Sequence, residues 1–189
     1  MRRVDSLGGA DERLVQRVRA GDTRAFPELV RTHDERLRGL AYKLLAGDHH
    51  RMDDAMQNAY VQAYRSIDRF RADADLGTWL YRIVYNACLD ELRRAKRRPE
   101  PVDSTLWERP SGRAGPERAV HAADSVLRAL AALPDDQRVT VVLVDGEGFD
   151  HQEAAEILGV AAGTIASRLS RARATMREVL EHDEKEDGR

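Results

Sequence analysis

The chain has 189 residues, 34% of them charged and 5% aromatic, with a formal net charge of −2. Its single cysteine, Cys88, excludes an intrachain disulfide and a cysteine-cluster metal site. No apolar run approaches the roughly 18 residues that span a bilayer, and the start, MRRVDSLGGADERL, lacks the apolar core of a signal peptide, so the expectation is a cytoplasmic chain, helix-rich, with one medium domain or two small ones.

In chain order, Leu14, Val15 and Val18 fall on one face of a short helix that stops at Gly21. A second helix carries Phe26, Leu29, Val30, Leu37, Leu40, Ala41, Leu44 and Leu45 at three- and four-residue spacings. Asp22 is its natural cap, and Pro27, tolerated only in a first helical turn, predicts a late start or a kink. A third segment, Met52 to Phe70, has the stripe Met52, Ala55, Met56, Ala59, Tyr60, Ala63, Ile67 and Phe70. After the polar break RADADLG, a fourth carries Leu76, Trp79, Leu80, Ile83, Val84, Ala87, Cys88 and Leu92. It ends in RRAKRR, Arg93 to Arg98, before Pro99. Cys88, on that stripe, reads as a buried inert thiol.

From Pro99 to Pro116 the periodicity vanishes, and four prolines with two glycines read as linker. Leu106 and Trp107 are its large apolar residues, the tryptophan expected to pack back on a domain. Helical pattern resumes with Val120, Ala123, Val126, Leu127, Leu130 and Leu133, and Pro134 breaks it. Val139 to Val144 is β-branched enough for a strand. LPDDQR, however, supplies an acidic first turn and no partner strand exists elsewhere, so helix is the reading. The tail EHDEKEDGR is charged and expected to fray. The predicted fold is all-α: two helical domains, 11–98 and 120–182, joined by a flexible linker at 99–119, with tails at 1–10 and 183–189.

The stretch DHQEAAEILGVAAGTIASRLSRARATMR, Asp150 to Arg177, carries the sharpest motif. Asp150 and Glu153 have capping-box spacing, Ala154, Ala155, Ile157 and Leu158 form an inner face, and Gly159 is the expected left-handed stop. A second helix begins near Ala162, completing a helix-turn-helix unit. On it Ile165, Leu169, Ala172, Met176 and Val179 fall on one side, while Ser167, Arg171 and Ala174 point the other way, flanked by Thr164, Arg168 and Arg173. Small residues near the helix start allow entry into a major groove, where arginines pair with guanine edges or phosphates. The competing reading is an ordinary amphipathic helix with a solvated basic face; the cap, the glycine and the acid-free face together favour DNA.

The fourth segment packs Trp79, Tyr81, Arg82, Tyr85 and Asn86 ahead of a cationic end. Aromatics with arginines suit stacking on unpaired bases and tracking one strand. The plain alternatives are a core tryptophan and an exposed i, i+4 tyrosine pair.

In this order the parts resemble the extracytoplasmic-function (ECF) class of sigma factors of the sigma-70 family, and among them look closest to the sigma-M-like type of actinobacteria. LVQRVRAGDTRAFPELV, DDAMQNAYVQAYRSIDRFR, LGTWLYRIVYNACLDELRRAKRR and LPDDQRVTVVLVDGEGFDHQEAAEILGVAAGTIASRLSRARA carry the resemblance, over Asp11 to Arg98 and Val120 to Leu180. It implies a sigma domain 2 and a sigma domain 4, with no enzymatic activity and no cofactor. Asp54, Gln57 and Asn58 fall where the family binds the β′ clamp helices of core RNA polymerase, Asn58 departing from the usual glutamate. Arg71 to Gly77, including Ala72, Asp73 and Asp75, fall on the loop that receives a base flipped from the −10 element. Arg82, Tyr85 and Asn86 fall on the adjoining helix that engages it. Thr164, Ser167, Arg168 and Arg171, with Arg173 on the rim, fall where domain 4 reads the −35 element, and Ala166 stands where the family often has a basic residue. Val139 to Val144 falls where domain 4 meets the β flap, and Glu100, Asp103, Glu108 and Glu117 on the connector that threads the polymerase. An anti-sigma partner is the common means of control in this class.

Three alternatives compete. A stand-alone helix-turn-helix regulator usually dimerises on a palindrome, and no dimerisation heptad or receiver domain is present. A recombinase needs a nucleophile among clustered arginines, whereas Tyr60 and Tyr64 lie on or beside a core stripe. A bare adaptor would not need the acid-free face. His49 and His50 are adjacent, diverge, and make no metal site.

Overall fold

The computed structural model describes residues 8–70, 75–97 and 117–187, and among them every regular element is helical. The first half contains α1 (Gly8–Arg19), α2 (Ala25–Leu44), α3 (His49–Ser66) with a closing 3₁₀ turn (Ile67–Arg69), and α4 (Leu76–Arg97). The second contains α5 (Glu117–Ala131), α6 (Asp135–Val141), a π-helical segment (Val142–Gly146), α7 (His151–Leu158) and α8 (Ala162–Asp187). Arg71, Ala72, Asp73, Arg98 and residues 99–116 of the linker, with Leu106 and Trp107, lie outside the described residues, while its last three residues, 117–119, open α5.

The apolar stripes become the core. Leu29, Leu37, Leu40 and Ala41 of α2 meet Ala55, Met56, Ala59 and Ala63 of α3, and Leu80, Val84 and Cys88 of α4, all buried. Small residues at successive turns of α3, Ala55, Ala59 and Ala63, let its backbone approach its neighbours closely. Pro27 causes no kink: α2 begins at Ala25, so the proline is its third residue, inside the first turn where its missing N–H has no intrahelical acceptor. Asp22 acts three residues ahead of that start, accepting from the Arg24 amide at 2.9 Å. Arg19 fastens α1 to the end of the 3₁₀ turn by donating to the Ile67 carbonyl at 3.1 Å and to that of Phe70.

The Val139–Val144 stretch is helical, ending α6 and opening the π-helical segment. Thr140 tolerates complete burial because its hydroxyl donates to the Asp136 carbonyl at 2.7 Å. The acidic end does not fray where expected: α8 continues to Asp187, and Asp183 receives Arg128 of α5 at 2.9 Å.

The two halves do not hang apart on a tether. Leu130, Leu133, Val139 and Leu143 belong to the same contiguous cluster of buried residues as the α2–α4 core. Arg138 lies at the junction, 8% exposed, and donates to the carbonyls of Leu130 (2.7 Å), Ala131 (3.1 Å) and Leu133 (3.0 Å), and to that of Leu44 (3.0 Å). One guanidinium thus satisfies the carbonyl ends of α5 and α2 together, groups that burial would otherwise leave unpaired.

The helix-turn-helix forms as its local chemistry dictates. The Asp150 carboxylate accepts from Gln152 N (2.8 Å) and Glu153 N (2.9 Å), and Glu153 returns to Asp150 N at 2.8 Å. Gly159 terminates α7 at φ +66°, a left-handed conformation costly for any residue with a Cβ. Asp150→Ala should therefore lower stability by about 1 kcal/mol. The check is a drop in the urea midpoint with unchanged slope; no drop would mean the cap carries no weight.

Candidate nucleic-acid interface

Helix α8 presents a row of exposed side chains, Ser167, Arg171 and Ala174, away from the buried Ile165, Leu169 and Ala172. Helical rise spaces them by about one turn each, and α7 backs the row at the α7–α8 turn. Thr164 is half-buried; its carbonyl accepts from the Ser167 hydroxyl at 3.0 Å, and the Ser167 carbonyl from Arg171 Nε at 3.3 Å. Arg171 is thereby held along the helix with its other donors outward.

The basic face is less naked than the helix alone suggests. No acid lies between Ala162 and Arg177 in sequence, but two arrive in space. Asp136 of α6 pairs with Arg168 at 3.1 Å, leaving that side chain 22% exposed. Asp145 of the π-helical segment takes both arms of Arg173, at 3.0 and 2.6 Å, and holds that guanidinium above its ordinary pKa. Of the five predicted −35 contacts, Ser167 and Arg171 are exposed, Thr164 is half-buried, and Arg168 and Arg173 are each paired with an aspartate.

Helix α4 divides its predicted residues in the same way. Asp75 caps it, accepting from Thr78 N at 2.8 Å. Arg82 and Asn86 are exposed one turn apart, whereas Tyr85 is half-buried. Burial raises the Tyr85 phenol, while Arg168 and Arg93 nearby act in the opposite sense. Tyr81, read from sequence as a surface aromatic, is instead 5% exposed. Its hydroxyl donates to Glu147 at 3.0 Å and its ring meets Phe149 edge-on at 4.9 Å, so it is unavailable for stacking on bases. Trp79 packs at 5.3 Å on Phe70, half in the core. The cationic end is largely paired: Arg93 with Asp90 (3.2 Å), Arg94 with Glu91 (3.4 Å) and Lys96 with Asp135 of α6 (2.7 Å).

On the far side, Asp54, Gln57 and Asn58 stand exposed on α3. Val61, one turn further on, is 45% exposed and extends that face with an apolar contact that the stripe analysis passed over. The signal was a valine off the core period. Tyr60 is fixed inward, its hydroxyl donating to Asp34, which also receives Arg38 at 3.2 Å; Arg38 reaches Asp53 at 2.8 Å.

The Val139–Val144 segment is core: Val139, Val141, Val142 and Leu143 are buried, and Val144 half-buried. What remains accessible beside it is an open groove of about 470 Å³ between the π-helical segment and α8, lined by Val141, Met176 and Leu180, with Asp145, Arg173 and Glu181 at its rim.

These two units, a helical domain with an exposed α3 face and a helix-turn-helix domain, match known families in the same order. The sigma-70 region 2 family model covers residues 29–98, and the sigma-70 region 4 model residues 123–176. The chain belongs to the extracytoplasmic-function class of the sigma-70 family. The ECF RNA polymerase sigma factor SigM of Mycobacterium tuberculosis is 42% identical over 178 residues, 92% of this chain and 88% of the relative. The ECF RNA polymerase sigma-E factor of Escherichia coli is 33% identical over 175 residues, 86% and 90% of the two chains. Among solved structures, CnrH in complex with the cytosolic domain of CnrY superposes with a TM-score of 0.68 at 28% identity, covering 92% of this chain and 99% of that one. The sigma factor RpoE in complex with the anti-sigma factor NepR from Bartonella quintana gives 0.68 at 29%, covering 84% and 98%. As a sigma factor the chain is a transcription initiation factor and not an enzyme. Among the described residues, no helix is long and apolar enough to cross a membrane.

Proposed function

We propose that the chain works in the cytoplasm by riding on core RNA polymerase and directing it to two promoter elements, with domain 2 spanning 11–98 and domain 4 spanning 120–182. The exposed α3 face of Asp54, Gln57, Asn58 and Val61 meets the β′ clamp helices. Arg82 and Asn86 on α4, with Tyr85 beside them, engage the −10 element, to which Arg71, Ala72 and Asp73 belong by position. Ser167 and Arg171 on α8 read the −35 element from the major groove, with Thr164, Arg168 and Arg173 supporting them. The groove over Val141, Met176 and Leu180 takes the β flap; an apolar slot with a charged rim suits an amphipathic segment. Relatives of known structure were captured with CnrY and with the anti-sigma factor NepR, and the same kind of partner is the expected control here.

The observation that carries this reading is the row on α8: exposed, small at its start, and centred on Arg171, for which no acid partner is found among the described residues. Purified chain with core polymerase should transcribe from a cognate promoter, and absence of core binding at low salt would refute the reading. Arg171→Ala should cost about 1–3 kcal/mol of −35 discrimination in a competition assay if that arginine meets a base edge. An equal loss on every sequence would make it a phosphate contact instead. A stand-alone helix-turn-helix regulator would bind its site without polymerase, so the same two assays separate the readings.

A further inference from the structure

At about 100° of turn per residue, Arg168 and Arg173 of α8 fall on opposite shoulders of the helix, with the buried Ile165, Leu169 and Ala172 between them. Each shoulder is met by an acid from the neighbouring layer. Asp136, in the first turn of α6, lies 3.1 Å from Arg168 Nε. Asp145, near the end of the π-helical segment, accepts from Arg173 Nε at 3.0 Å and Nη2 at 2.6 Å. Arg171 stands on the outer face and gives its Nε to the Ser167 carbonyl at 3.3 Å. Three guanidiniums less two carboxylates leave this part of α8 with one net positive charge.

The pairs contribute little to the fold. Val139 and Leu143 on one side, with Ile165 and Leu169 on the other, already belong to one buried cluster. The aspartate side chains are 52% and 37% exposed, and ion pairs so open to water stabilise a protein weakly. Their larger effect falls on what approaches from outside. Attraction between cations and phosphates takes no account of sequence and grows with every cation that neutralises one. A helix with three free guanidiniums would grip any duplex. With two of them occupied, a loosely held duplex finds Arg171 alone and meets carboxylates at both shoulders.

We propose that Asp136 and Asp145 set the DNA specificity of the helix-turn-helix by occupying Arg168 and Arg173 until Arg171 is seated on its base. Seating draws α8 into the groove and brings the flanking phosphates against the shoulders, where they displace the carboxylates. On other sequences α8 stays shallow and the pairs persist. Discrimination is a ratio of two affinities, and the aspartates raise it by holding down the affinity for the wrong duplex. The proposal rests on the −35 reading given above and deepens it.

The test uses holoenzyme assembled from the full chain and core polymerase. Two probes are compared between 50 and 200 mM salt: a promoter fragment selected by the unaltered holoenzyme from a randomised duplex pool, and a random duplex of equal length. On the random duplex, Asp136→Asn and Asp145→Asn should each steepen the fall of log affinity with log salt by about 0.9, the value of one added phosphate contact. Each should tighten binding there about threefold at the lower salt, and the promoter slope should stay as it was. Adding Arg173→Gln to Asp145→Asn should restore the original random-duplex slope. Asp145 also borders the groove beside Met176, and Asp136→Asn repeats the test away from that groove. Unchanged random-duplex slopes in both variants overturn the proposal, as does an equal rise on the promoter. A gain that survives Arg173→Gln also overturns it, because lost acidity alone would then explain the effect. A holoenzyme that forms and selects its promoter with any of these results sinks this proposal alone. Failure of the unaltered chain to bind core polymerase sinks the sigma reading, and this proposal with it.

Discussion

An acid taken out of water must find its counter-charge where it is buried, and Glu147 finds it across the chain. Its carboxylate sits between the Lys43 ammonium and the Tyr81 hydroxyl, and burial together with that carboxylate drives the tyrosine phenol well above its ordinary pKa. Losing either partner would leave the withdrawn carboxylate short of a charge or a donor. Beside it Arg138 binds the ends of α5 and α2 with a single guanidinium, which desolvation holds below its usual pKa. Domain 4 therefore has one seat on domain 2, fixed by polar geometry as well as by apolar area.

That seat decides which surfaces are free. The α3 face and the outer row of α8 remain accessible. Tyr81 is consumed by the interface and Tyr85 is roofed by it. Arg168 and Arg173 are held by Asp136 and Asp145. The Arg173 pair is more than half exposed on its cationic side, and such surface pairs are weak enough to exchange for phosphate without large cost. The chain thus neutralises Arg168 and Arg173 by pairing, while Arg171 stands exposed between them.

Local chemistry was legible in the sequence; partnerships across the chain were not. The stripes of α2, α3 and α4 announce themselves because a 3.6-residue period is a local property, and the Asp150–Glu153 cap and Gly159 stop lie within ten residues of each other. Pro27 was read as a disturbance because Asp22 as cap places the proline several residues inside the helix, whereas α2 begins only at Ala25. Tyr81 was misplaced for a different reason: its partner is 66 residues away, and a tyrosine at i, i+4 from another looks the same whether it faces solvent or a buried glutamate. Arg168 and Arg173 looked free for the same reason. Arg138 sits in LPDDQR as an unremarkable helix-start residue, and nothing local tells that it reaches Leu44. The candidate site residues come from positions where local pattern and family resemblance coincide, and their exposure was legible only in the fold.

The central claim is that the free chain is one closed body, and its size in solution tests that claim directly. Small-angle scattering of the full chain without polymerase should give a radius of gyration of about 16–18 Å, the compact scaling for a chain of this length. Two bodies of half that length held apart by an extended linker would give about 20 Å or more by the same scaling. The first value supports the seating of domain 4 by Glu147 and Arg138; the second would contradict it.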